Sequence, residues 1–120
     1  MHELSIAQGI IEIVEETARA HGICAVRRVH VKIGELAGVD PEALLFAWES
    51  ATREGTACGS ELEIERTPGK AWCTDCGKTV PLKQYGDPCP DCGGYRLIAN
   101  GGTEMRVVDI VPDEKPENHF

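Results

Sequence analysis

A chain of 120 residues and 13.0 kDa has room for one domain, or for one small domain with a subdomain inserted. Hydrophobic residues at 42% and charged residues at 27% argue against wholesale disorder, and no apolar run approaches the ~20 residues of a membrane span. The net charge of -8 argues against generic nucleic-acid binding, because an acidic surface repels phosphate backbones.

Residues 4–20 read as a helix, with Leu4, Ala7, Ile11, Val14 and Ala18 at three- and four-residue steps and Ile10 and Ile13 widening the stripe. Residues 25–34 read as a strand: Val29, Val31 and Ile33 on a buried face, Arg28, His30 and Lys32 on a wet one. Gly34 to Gly38 is a loop. Asp40-Pro41 then starts a second helix, a capping carboxylate followed by proline at the first helical position. That helix is expected to run to about Arg53, with Leu44, Leu45, Trp48 and Ala51 inward. Leu62 and Ile64 alternate with Glu61, Glu63 and Glu65 in a second strand, and Glu104 to Val111 reads as a third. These elements give an α+β fold: a small three-stranded sheet with two helices, plus an inserted zinc-ribbon-like subdomain. The expected division is an α/β domain of residues 1–69 and 102–112, an insert of 70–101 and a polar tail of 113–120.

The insert differs in kind from its flanks. Residues 70–98 carry a net charge of +1 beside -6 for residues 1–69, and they are rich in Cys, Pro and Gly. Cys73-Thr74-Asp75-Cys76 and Cys89-Pro90-Asp91-Cys92 form two pairs, each followed by glycine. In such a knuckle the backbone folds back so that amides point at sulfur, and glycine suits the turn after the second cysteine. Two knuckles place four thiolates at the corners of a tetrahedron, a closed site that suits structural Zn²⁺. Iron and a redox dithiol are the alternatives. Cys24 and Cys58 fall outside this scheme and read as small buried apolar residues.

Met1-His2-Glu3 is the second candidate site. A terminal amine, the His2 imidazole and the intervening amides can wrap one ion, and planar nitrogen donors suit Ni(II) or Cu(II). Glu3 adds a carboxylate or orients the ring. Taken alone, a second-position histidine is more often an ordinary chain end. Of the others, His21 fits the last turn of the first helix, His30 the wet strand face and His119 the tail. The first residues carry neither the basic stretch nor the apolar core of a secretory signal, so a cytoplasmic location is expected.

Several short pieces together resemble a known family. The Met-His-Glu-Leu-Ser start, Gly34-Glu35-Leu36 after a strand, the two cysteine pairs, and Gly102-Thr103-Glu104-Met105-Arg106-Val107 resemble the hydrogenase nickel-incorporation proteins (HypA/HybF) over residues 1–111. The resemblance implies a metallochaperone for [NiFe] hydrogenase and not an enzyme. It implies transported Ni²⁺ on His2, with Glu3 beside it, and structural Zn²⁺ on Cys73, Cys76, Cys89 and Cys92. The Met1 amine is the further nickel donor expected from the N-terminal chemistry. The partners then expected are a nickel-handling GTPase and the hydrogenase large-subunit precursor, with no nucleic acid and no membrane, and the chain a monomer or weak homodimer. The alternative is a zinc-ribbon module that binds protein or nucleic acid.

Overall fold

The computed structural model describes residues 3–113. Helix α1 spans Glu3–Ala20 and buries Ile6, Ala7, Ile10, Val14 and Ala18. The buried stripe is rotated from the expected one, and Leu4 and Ile13 are half exposed. At 100° per residue both stand about 90° from the middle of that stripe, one on each border. Strand β1 spans Val26–Gly34, and Val29, Val31 and Ile33 are buried as the alternation requires. A short 3-10 turn, Glu35–Ala37, occupies the segment expected as loop.

Helix α2 spans Pro41–Ala51. The Asp40 carboxylate accepts from the backbone N–H groups of Glu42 (3.0 Å) and Ala43 (3.4 Å), so capping and proline act together at this end. The helix ends at Ala51 because its C-cap Thr52 leaves helical geometry at φ -108° and ψ 33°; the Thr52 N–H (3.0 Å) makes the last helical bond to the Trp48 carbonyl, and the hydroxyl (2.6 Å) donates there as well. Leu44, Ala47 and Trp48 face inward, whereas Leu45, expected there, is 43% exposed. α1 packs against α2.

Strand β2 spans Glu61–Thr67; β3, Lys70–Cys73; β4, Lys78–Pro81; β5, Leu97–Gly101; and β6, Met105–Pro112. One sheet has the order β2-β1-β6 and contains the three expected strands. Arg28 lies 3.3 Å from Glu61 and Lys32 3.8 Å from Glu65, so β1 and β2 run parallel, with α2 in the connection between them. The Gly34 N–H donates to the Glu104 carbonyl (2.8 Å) and the Asp113 N–H to the Ala25 carbonyl (2.9 Å), so β6 runs antiparallel to β1. The wet face of β1 is thus half-buried by partners: Arg28 and Lys32 meet glutamates of β2, and the His30 ring lies 3.3 Å from Asp109.

The second sheet, β4-β3-β5, is antiparallel throughout. Its cross-strand pairs include Trp72 with Thr79 and with Ile98, and Lys70 with Gly101. Ala71, Cys73 and Val80 are buried. Trp72 and Ile98 are 43% and 61% exposed. Successive strand residues face opposite ways, so an inward Cys73 sends Trp72 outward, and Ile98 follows as its cross-strand neighbour.

The described chain falls into two compact units, residues 3–31, 40–63 and 107–113 in one and residues 32–39 and 64–106 in the other. The second is built around backbone contact. A side chain at Gly34 would collide with the Gly102 carbonyl, and one at Gly69 with the Leu82 carbonyl. Gly102 itself holds φ +78°. Around this contact the Leu36 N–H donates to the Gly102 carbonyl (2.8 Å), the Gly69 N–H to the Glu35 carboxylate (2.7 Å), and the Thr67 hydroxyl to the Glu104 carboxylate (2.6 Å). The Thr67 hydroxyl holds the Glu104 carboxyl below its ordinary range, with the Glu104 N–H adding to the effect. Leu36 packs with Ala71 and Leu82 beneath the second sheet.

Gly34→Ala forces backbone apart and should cost about 3 kcal/mol or more. Gly9→Ala, in the interior of α1 with nothing within 4 Å of the new methyl, should stabilise by about 0.5–1 kcal/mol. Denaturant midpoints of the two variants should therefore move in opposite directions.

Candidate metal centre

The four cysteines of the two pairs converge. The sulfurs of Cys73, Cys76, Cys89 and Cys92 all lie within 4.8 Å of one another. Cys73 and Cys92 are 3.7 Å apart, and Cys76 and Cys89 3.8 Å. An ion with four sulfurs at ~2.3 Å in a tetrahedron requires sulfur separations of about 3.8 Å, so the cluster fits a metal such as zinc. Cys73 and Cys89 are buried, Cys76 partly so, and Cys92 is exposed.

The local sequence explains this arrangement. Cys73 ends β3, and the turn after it brings the Cys76 N–H to 3.4 Å from the Cys73 sulfur. The Gly77 N–H closes that turn on the Cys73 carbonyl, and the Gly93 N–H closes the second on the Cys89 carbonyl, each at 2.8 Å. Gly77 and Gly93 hold φ +67° and +73°, the left-handed conformation that a Cβ opposes. The Cys89 N–H donates to the Gly94 carbonyl at 2.7 Å, completing the second knuckle.

The sulfurs do not share charge equally. The Cys92 and Asp91 backbone N–H groups point at Cys89 and lower its pKa to about 7, against the opposing effect of burial. Cys76 is pushed up to about 12 by the Cys92 sulfur, by burial and by the other two sulfurs. At Cys92 the Gly94 N–H favours ionisation, yet Cys89, burial and Cys73 outweigh it and the pKa ends above the ordinary value. One thiolate is thus prepared by the backbone, and the remaining charge requires a cation.

Among the flanking groups, Lys78 lies 2.6 Å from Asp91 and Arg96 3.9 Å from Asp75. The Asp91 carboxylate raises the Lys78 pKa. These pairs were not foreseeable from spacing, although an aspartate directly before the second cysteine of each knuckle was a visible sign.

A family model described as "Hydrogenase/urease nickel incorporation, metallochaperone, hypA" matches residues 1–111. The chain belongs to the HypA family. It is 46% identical over 110 residues to hydrogenase maturation factor HypA of Albidiferax ferrireducens, covering 92% of this chain and 97% of that one. It is 49% identical over 113 residues to hydrogenase maturation factor HypA 2 of Bradyrhizobium diazoefficiens, covering 94% and 100%. The fold is similar to the solution structure of the Ni metallochaperone HypA from Helicobacter pylori, with a TM-score of 0.64 and 27% identity over 93% of this chain and 97% of that one.

The other candidate residues of this HypA-family chain lie apart from the sulfurs in sequence. Met1 and His2, the main nickel candidates, fall outside the described residues, as does His119. The Glu3 carboxylate accepts from the Asp40 backbone N–H at 3.3 Å, at the start of α2. His21 is exposed just past the end of α1. Cys24 and Cys58 are exposed, not buried as expected. Both fall in connections rather than in core-facing positions of helix or strand, and the Cys58 thiol donates to the Arg53 carbonyl at 3.2 Å.

Metal must displace the protons that Cys76 and Cys92 keep at neutral pH. Apparent affinity for a thiophilic divalent ion should therefore fall as pH falls. The slope between pH 8 and 6 should be at least about 100-fold per unit, one decade for each of the two raised thiols, Cys76 and Cys92. Competition titrations with Co²⁺, read from its thiolate charge-transfer band, measure this slope. A slope of one decade or less would contradict the order of ionisation described above.

Proposed function

We propose that this chain is a nickel metallochaperone for hydrogenase maturation that binds Ni²⁺ at its N-terminus and carries structural Zn²⁺ on Cys73, Cys76, Cys89 and Cys92. The observation that carries the reading is the family match over residues 1–111, which spans both the Met1-His2-Glu3 start and the four-cysteine cluster. The cluster offers four sulfurs and no open position, which suits a resident ion that holds shape. Zinc is the redox-inert choice among ions that accept tetrahedral sulfur. Most of the insert's folding energy then comes from metal binding, because a segment of this size has little apolar core of its own.

Nickel is the cargo. The Met1 amine, neighbouring amides and the His2 imidazole supply nitrogen donors that can be removed one at a time, which favours handover over storage. Glu3 supplies a carboxylate or orients the ring. Functionally, residues 1–69 and 102–112 form the nickel-binding part and 70–101 the zinc-binding part. The chain works as a carrier and not as an enzyme, in the cytoplasm, as a monomer or weak homodimer. Its partners are a nickel-handling GTPase and the hydrogenase large-subunit precursor. A nucleic-acid-binding ribbon would need a basic face, and residues 70–98 carry a net charge of only +1 within a chain of -8. Among the described residues no helix is long and apolar enough to cross a membrane.

His2→Ala should reduce nickel binding by tenfold or more while zinc content and the far-UV circular dichroism stay at parent values. Extending the chain before Met1 keeps the imidazole but converts the amine to an amide. Nickel binding should weaken there too and lose its square-planar absorption. Parent-like nickel binding by His2→Ala would show that the nickel site lies elsewhere in the chain.

A further inference from the structure

The two knuckles are tied to each other crosswise. Asp75 and Asp91 hold equivalent places, each directly before the second cysteine of its pair. Lys78, just beyond the first knuckle, reaches Asp91 in the second at 2.6 Å. Arg96, just beyond the second knuckle, reaches back to Asp75 in the first at 3.9 Å. The Arg96 carbonyl also accepts from the Thr74 N–H (3.1 Å) and hydroxyl (3.3 Å), which fixes the chain on that side. Lys78 is the cross-strand neighbour of the ligand Cys73.

Four thiolates around a divalent ion leave a centre of net charge about -2. A closed centre loses its ion only as sulfurs leave in sequence, and the first such step swings one knuckle away from the other. A link between the knuckles opposes that step, and a cation beside the sulfurs opposes the growth of negative charge on a departing thiolate. We propose that Lys78–Asp91 and Arg96–Asp75 form a crossed clasp that sets how long the four-cysteine centre keeps its metal. Lys78 is 57% exposed and Arg96 79%, so neither pair contributes much to folding stability. Their effect belongs to metal residence, where groups around a ligand shell act more strongly. The clasp rests on the reading of the cluster as a zinc centre.

The test uses the full-length, zinc-loaded chain and excess 4-(2-pyridylazo)resorcinol as chelator, read by its colour change. Lys78→Glu places like charges together and should speed release by about tenfold. Lys78→Gln, the milder change, should speed it by about threefold. The exchanged pair Lys78→Glu with Asp91→Lys should return the rate to within about twofold of the parent. Lys83→Glu makes the same charge change in the same unit at a lysine with no ion-pair partner among the described residues, and should leave release at the parent rate. Each variant should still bind one zinc and give the parent cobalt spectrum, which separates a faster exit from a damaged site. Parent-like release from Lys78→Glu, or an exchanged pair that is no slower than the single variant, would overturn the clasp while leaving the zinc centre intact. A parent chain that binds no zinc, or a Cys89→Ala variant that keeps all of it, would instead overturn the zinc reading and the clasp together.

Discussion

Four sulfur atoms packed within 4.8 Å cannot all carry charge unless a cation sits among them. That constraint organises residues 70–101. Inward Cys73 and Cys89 put the sulfurs under the second sheet, Val80 and Leu97 close over them, and Trp72 and Ile98 are left on the outer face. The strands here are four or five residues long and could not persist as an isolated sheet. Backbone N–H groups favour the thiolate at Cys89, while Cys76 and Cys92 are held toward the neutral thiol. On the proposed zinc reading, metal binding and folding of the insert are one process.

A second constraint sits at the foot of the insert. Gly34, Gly69 and Gly102 let backbone meet backbone where a Cβ would not fit. Glu35 and Glu104 then satisfy the amide and hydroxyl groups brought together there. The Gly34-Glu35-Leu36 and Gly102-Thr103-Glu104 segments, which carried part of the family resemblance, thus owe their pattern to packing and hydrogen bonding rather than to metal chemistry.

Much of this was legible in the sequence, for specific reasons. β1 alternates cleanly, Asp40-Pro41 marks a helix start by local chemistry, and a pair of CxxC motifs fixes its own geometry. What was hidden depends on contacts between distant residues. The second sheet is not legible in the sequence because strands of four or five residues bounded by Pro, Gly and Cys show no period. The stripe of α1 is ambiguous in the sequence because its seven named apolar residues leave both borders open, and packing on α2 decides which face is buried. Cys24 and Cys58 read as buried because unpaired cysteine behaves as a small apolar residue, whereas their positions in connections leave them exposed. The crossed pairs join residues 13 and 21 positions apart, beyond any local pattern.

The central claim is that one chain keeps two metals on chemically different donors: zinc on sulfur, nickel on nitrogen and oxygen. X-ray absorption at both metal edges, on one sample loaded with zinc and nickel, tests it most directly. Four sulfur scatterers at ~2.3 Å are predicted around zinc, and a planar shell of nitrogen and oxygen with no sulfur around nickel. Sulfur in the nickel shell would place the cargo on the cysteines and contradict the account.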